Sequence, residues 1–194
     1  MPLDAMQDVT DEALLVLFAN GEPAAARALT LRLTPKAFGH AARLLGNRAE
    51  AEDVAQEALL RLWRVAPEWR QGEAKVTTWL YRVVANLCTD RLRRSGRGVA
   101  LEAVPEPEDE ARGPLDKMQA EARADALQTA LDGLPDRQRQ AVVLRHIEGL
   151  ANPEIAEIME ISVDAVESLT ARGKRALSAA LEGRREELGY ADDG

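Results

Sequence analysis

The stretch Asn152-Pro-Glu-Ile-Ala-Glu-Ile-Met-Glu-Ile-Ser-Val-Asp-Ala-Val-Glu-Ser-Leu-Thr-Ala-Arg-Gly-Lys-Arg175 reads as two helices joined by a short turn. Asn152 can cap the first helix, Pro153 suits its opening position, and Glu154 puts a carboxylate at the positive end of the dipole. Ile155, Ala156, Ile158 and Met159 supply its apolar face. Glu160-Ile161-Ser162 makes the turn, and Ser162 caps the second helix. There Val166, Leu169, Gly173 and Leu177 face inward, while Asp164, Ser168, Arg172 and Arg175 face out. Small Ala156 suits a close crossing of the two helices. This is the helix-turn-helix plan, with Arg172, Lys174 and Arg175 available to phosphate. Spacing leaves a plain three-helix bundle open as well, since Asp164 and Glu167 would meet DNA with the wrong sign.

The rest of the second half is also helical in pattern. A helix near 116–131 precedes the break Gly133-Leu-Pro135, and another follows near 136–148. Ahead of it, Leu101-Glu-Ala-Val-Pro-Glu-Pro-Glu-Asp-Glu-Ala-Arg-Gly-Pro114 is too rich in Pro and Glu to bury a core. Three units result: a domain over 1–98, an acidic linker over 99–122 and a domain over 123–194. The chain of 194 residues has a net charge of −8, which weighs against bulk electrostatic binding to DNA. Resolved by unit, the charge is +2 over 1–98 and −5 in each of the other two. Arg91, Arg93, Arg94 and Arg97 are crowded together at the end of the first unit.

The first unit alternates apolar and polar at helical spacing. Helices are expected over 11–19, from Pro23, over 49–65 and over 79–94, with Thr77 or Thr78 capping the last. Val54, Ala58, Leu62 and Val65 form the buried stripe of the third helix, and Asp53, Glu57, Arg61 and Arg64 its wet one. On the fourth, Arg82, Asn86, Thr89 and Arg93 share a face. An amide flanked by cations on a rigid helix suits nucleic acid, the amide for a base edge and the cations for phosphate. The preceding loop, Trp69 to Val76 around Gly72, has room for an unstacked base. A solvated face beside a loop fits the same spacing. Trp63 and Trp79 read as core residues, and Cys88 as a small buried hydrophobe.

Several classes are excluded. One cysteine forms no intramolecular disulfide and no Cys-rich metal site, so no metal or cofactor is expected. No phosphate-binding loop is present, and His40 and His146 are far apart in sequence, so catalysis is not expected. No apolar run approaches a membrane span, and Met1–Gln7 lacks signal-peptide character; the expectation is a cytoplasmic protein without membrane insertion.

Three blocks in order carry a family resemblance: Ala51-Glu-Asp-Val-Ala-Gln-Glu-Ala-Leu-Leu-Arg-Leu-Trp63, Thr78-Trp-Leu-Tyr-Arg-Val-Val-Ala-Asn-Leu-Cys-Thr-Asp-Arg-Leu-Arg-Arg94, and Leu134-Pro-Asp-Arg-Gln-Arg-Gln-Ala-Val-Val-Leu-Arg145 leading into the helix-turn-helix. The chain resembles the extracytoplasmic-function sigma factors of bacterial RNA polymerase. The resemblance implies an all-α fold of two small domains, region 2 and region 4. It implies that Asp53, Gln56, Glu57 and Arg61 meet the clamp helices of the polymerase β′ subunit, and that region 4 meets the β flap. Trp69, Gly72 and Asn86 would capture a flipped base of the −10 element, with Arg82, Arg91, Arg93 and Arg94 on its backbone. Ser168, Arg172, Lys174 and Arg175 would read the −35 element. An anti-sigma factor is the implied regulator. Glu160 stands where the family usually has glycine, and Glu167 where it often has a cation. The competing expectation is a sigma-like decoy that binds an anti-sigma factor and no DNA.

Overall fold

The computed structural model describes residues 6–70, 72, 74–96 and 114–184, and its regular structure there is entirely helical. Helices α1 (Asp11–Ala19), α2 (Pro23–Leu45), α3 (Arg48–Val65) and α4 (Val76–Arg94) form a first bundle. Helices α5 (Pro114–Asp132), α6 (Asp136–Val142), α7 (Asn152–Met159) and α8 (Val163–Glu182) form a second. Most of the stretch read as linker lies outside the described residues, and α5 begins inside it, at Pro114.

Local chemistry sets most helix ends. Thr10 Oγ1 accepts from the Ala13 N–H at 3.2 Å and opens α1. Gly46, at φ 64°, ends α2 in the left-handed region, and Asn47 Oδ1 accepts from the Glu50 N–H at 3.0 Å. Two residues therefore reverse the chain into α3. Pro35 lies inside α2 and denies the Leu31 carbonyl its usual donor. Leu31 is 63% exposed, so water can satisfy that carbonyl.

Two expected caps are replaced. Helix α4 starts at Val76, not 79, and no threonine caps it. Thr78 is buried, and the Val76 N–H donates to Glu12 Oε1 of α1 at 2.9 Å, so a tertiary contact supplies the cap. At α7 the Asn152 Oδ1 is buried without a partner. Glu154 reaches back instead, its Oε2 accepting from the Ala151 N–H at 3.2 Å, one half of a capping box. Ser162 does cap α8, accepting from the Ala165 N–H at 3.1 Å. Between α6 and α7, Val143–Ile147 widens into a π turn closed by the Glu148 N–H on the Val143 carbonyl at 2.9 Å.

The first bundle buries Leu14, Leu15, Leu29, Leu33, Val54, Leu62, Leu80 and Val84. Cys88 is in that core at 1% exposure, and burial pushes its thiol up to about 12. Trp63 packs at its margin against Phe18, ring centroids 4.8 Å apart. In the second bundle α8 crosses α6 at the buried Gly173, where an added methyl would meet Val142 Cγ2 and, at 3.2 Å, the Gln138 carbonyl oxygen. Tyr81 belongs to α4, yet it packs with Leu144, Ile155, Ile158, Met159 and Val166 of the second bundle.

Arg139, 7% exposed, ties the bundles together at a second point. Its guanidinium donates to the carbonyls of Leu131 at 2.8 Å, Asp132 at 2.8 Å, Leu134 at 3.2 Å and Leu44 at 2.6 Å. Leu131 and Asp132 end α5, and Leu44 is in the last turn of α2. One cation thus satisfies carbonyls that two helices leave unpaired at their negative ends.

Arg139→Met keeps the apolar stem and orphans those carbonyls; urea unfolding is expected to show a loss of about 3 kcal/mol. Gly173→Ala is expected to cost about 1–3 kcal/mol in the same assay, by overpacking the α6–α8 crossing. His40 is fully buried against Tyr81, and burial lowers it from 6.5 to about 3. The unfolded chain then binds a proton that the folded chain refuses, so stability falls as pH drops below 6.5. His40→Phe should flatten that fall between pH 6.5 and 4.5, as read from urea midpoints.

Candidate nucleic-acid interface

The polar face of α3 is built by helical spacing alone. Asp53, Gln56, Leu60 and Arg61 are exposed and Glu57 is half-exposed. Arg61 Nη2 donates to Glu57 Oε1 at 2.6 Å, an i,i+4 pair that orders both side chains. Leu60 is 54% exposed in the middle of this face. The expected set omitted it, and the signal was present: an apolar residue on the charged side of an amphipathic helix.

Helix α4 presents two different faces. Asn86 is exposed between the half-buried Arg82 and Thr89, and Thr89 Oγ1 is taken up by the Ala85 carbonyl at 2.9 Å. Arg91 and Arg94 leave this group. Nine residues separate Arg82 from Arg91, about half a turn of rotation. Arg91 Nη1 is 3.9 Å from Asp53 Oδ2, and both arginines line a cleft of about 450 Å³ with Glu50, Glu57, Arg61 and Asp90. They lie beside the α3 face, away from Asn86.

Trp69 and Trp79 meet edge to face at 6.3 Å, and both pack on the first core. Trp69 is therefore a wall of the loop and not a free stacking platform. Gly72, at φ 93° with open space around it, supplies the turn that only glycine adopts without strain. Gln71 and Glu73 lie outside the described residues.

On α8, Ser168, Arg172 and Arg175 are exposed on the outer face together with Asp164, and Lys174 and Glu167 are exposed on its flank. Glu160 takes the left-handed conformation, φ 55°, in the turn before α8, and the Ile161 N–H closes on the Ala156 carbonyl at 3.1 Å. A residue with a Cβ therefore stands where glycine costs least. His146 is exposed on the surface, and its pKa is lowered by partial burial and by Lys174 and Arg145.

The helix-turn-helix also touches the α4 face. Arg82 Nη2 donates to the Glu157 carbonyl of α7 at 2.7 Å, and Lys75 Nζ donates to Glu154 Oε1 at 2.7 Å. Tyr81 Oη donates to Glu148 Oε2 at 2.7 Å. Burial holds the Glu148 carboxyl above its ordinary range, while the Lys75 ammonium holds Glu154 below it. Arg93 lines a cleft of about 380 Å³ with Asp136 and Arg137 of α6. None of these cross-bundle partners is visible in the spacing of either half.

Comparison with known proteins agrees with both bundles. The family model of Sigma-70 region 2 matches residues 29–98, and that of Sigma-70 region 4 matches residues 124–177. The chain is 39% identical over 139 residues to the ECF RNA polymerase sigma factor SigE of Mycolicibacterium smegmatis, covering 70% of this chain but only 53% of that protein. It is 35% identical over 145 residues to SigW of Bacillus subtilis, covering 70% of this chain and 77% of the relative. Among solved structures, CnrH in complex with the cytosolic domain of CnrY superposes with a TM-score of 0.64 at 27% identity, covering 89% of this chain and 97% of that one. The sigma factor RpoE of Bartonella quintana, solved with the anti-sigma factor NepR, shares the fold with a TM-score of 0.67 at 20% identity, over 80% of this chain and 96% of that one. With two sigma regions in order and a relative such as SigW matched over most of its length, the chain belongs to the ECF family of RNA polymerase sigma factors.

Proposed function

We propose that the chain is an alternative sigma factor: it binds core RNA polymerase, recognises −35 and −10 promoter elements with separate bundles, and starts transcription. The α3 face carries this reading. An exposed leucine ringed by Asp53, Gln56, Glu57 and Arg61 serves no packing purpose in the chain itself, and such a patch is the anatomy of a protein contact. In this reading that face meets the β′ clamp helices. Asn86 takes a base of the opened −10 strand, with Arg82 and Arg93 on its backbone. Ser168, Arg172, Lys174 and Arg175 meet the −35 element in the major groove, and the second bundle meets the β flap. Arg91 and Arg94 fit the polymerase side better than the DNA side, given their cleft with Glu57 and Arg61.

The protein acts by binding, not by catalysis, and needs no metal or cofactor. A cytoplasmic location follows from this role, and no helix among the described residues is long and apolar enough to cross a membrane. The solved pair of RpoE with NepR supports an anti-sigma factor as the regulator here too. Exposed Glu160 and Glu167 favour one competing reading, a decoy that never touches DNA. A decoy would fail to pull down core polymerase.

Run-off transcription with core enzyme tests the assignment. Asp53→Ala with Glu57→Ala, and separately Leu60→Ala, are expected to weaken core binding about tenfold, a change of about 1.4 kcal/mol. Asn86→Ala should leave core binding intact and abolish the open complex. Arg172→Ala should weaken −35 recognition by about 1–3 kcal/mol. Full activity in the α3 and Asn86 variants would overturn the site assignment.

A further inference from the structure

We propose that His40, Tyr81 and Glu148 form a proton-sensitive joint between the two bundles: mild acid parts the bundles while each keeps its own fold. Its working does not depend on what the chain binds. His40 lies on the inner side of α2, fully buried, and neither ring nitrogen has a hydrogen-bond partner among the described residues. Such an orphaned pair of polar atoms is rare in a packed interior. Tyr81 of α4 meets the ring edge to face, centroids 5.0 Å apart. Glu148, from the second bundle, places Oε1 3.9 Å from Nδ1, too far for a hydrogen bond. Tyr81 donates to the other oxygen of that carboxylate at 2.7 Å, and its ring packs in the core of the second bundle. The Nδ1 edge is thus closed from the second bundle.

Other charges lie off the ring. On α2 itself, Lys36 and Arg43 act on the Glu148 carboxylate. The buried side of α3 is apolar, Ala51, Val54, Ala55, Ala58, Leu59 and Leu62. From α1, Asp11 pairs with Arg32, about two turns from His40. From α5, Gln128 donates to the Arg43 carbonyl and to Asp132, and from α6 Arg139 is held on the Leu44 carbonyl. Cys88 of α4 stays neutral.

In the closed arrangement burial holds the His40 imidazole near 3, against an ordinary 6.5. Once the bundles part, its Nδ1 edge reaches water and the ordinary value returns. The open form then binds a proton that the closed form refuses, so each fall in pH below 6.5 favours opening. Between pH 7.5 and 5.5 the open-to-closed ratio is expected to rise about tenfold. Glu148 works the other way, since burial raises its carboxyl in the closed form and acid protonates it more readily there. The His40 displacement is the larger and sets the sign. Glu154, held down by Lys75, gives up that pair only below the ordinary 4.5 and is silent in this window.

The test uses the full chain with donor and acceptor dyes at Thr30→Cys and Ser178→Cys, both exposed, and the buried Cys88 left in place. Energy transfer and helical circular dichroism are followed from pH 7.5 to 5.0 at fixed ionic strength. In the parent chain transfer is expected to fall below pH 6.5 with the helix signal unchanged. The chain has two histidines, so ring NMR follows each, and His40 should titrate with the same midpoint as the loss of transfer. His40→Phe should keep transfer high throughout, and His40→Leu repeats the test if phenylalanine packs badly. Glu148→Gln removes the opposing group while its amide still accepts from Tyr81, so the fall should persist and begin at higher pH. Transfer that stays level in the parent, falls equally in both His40 variants, or no longer falls in Glu148→Gln would overturn the joint. So would loss of the helix signal along with transfer, which is unfolding and not a parting of the bundles.

Discussion

Arg139 sits where α5 ends, where the Gly133-Leu134-Pro135 break begins and where α2 finishes, and it satisfies carbonyls from all three places. No carboxylate shares a hydrogen bond with this guanidinium; the negative ends of helices hold it. A planar fork with five donors can serve such a divergent set, whereas a lysine could not. The position of α6 is set at this junction. Helices α7 and α8 then follow from α6, through the π turn at Val143–Ile147 and the close crossing at Gly173. The geometry of the helix-turn-helix relative to α4 is therefore inherited from one buried cation.

Charge works in the same local way. A net −8 looks unfavourable for a DNA-binding chain until the acids are placed individually. Glu12 caps α4, Glu154 caps α7 and pairs with Lys75, and Glu148 takes the Tyr81 hydroxyl. These carboxylates are engaged within the protein. Opposite Lys75 and Tyr81 the second bundle presents Glu154 and Glu148, while the outer face of α8 carries Arg172 and Arg175. The distribution keeps the chain soluble and discourages indiscriminate adhesion to nucleic acid.

Much of the fold was legible because most of it is decided over short distances. The helix-turn-helix follows from apolar spacing and from Ser162, whose cap acts on its immediate neighbours. The polar faces of α3 and α8 were legible for the same reason. What escaped depends on groups far apart in sequence. Thr77 and Thr78 looked like caps, but Glu12 reaches Val76 across 64 positions. Asn152 looked like a cap, but Glu154 was the better-placed acceptor. Arg91 and Arg94 seemed part of one arginine cluster with Arg93, yet helical rotation sends them to the other side of α4. Nothing in the spacing of α4 singles out Tyr81, whose partners Ile155 and Ile158 belong to the opposite bundle.

The single thiol has a practical consequence. Cys88 lies in the first core at 1% exposure, with its ionisation suppressed by burial. A thiol in that state reacts with disulfide reagents only when the α2–α4 core breathes open, because the thiolate is the nucleophile. Its modification rate is then an intrinsic clock for opening of the polymerase-binding bundle, readable in the unmodified chain. Slowing of that clock by any added partner would report, without a label, how firmly the partner clamps the core.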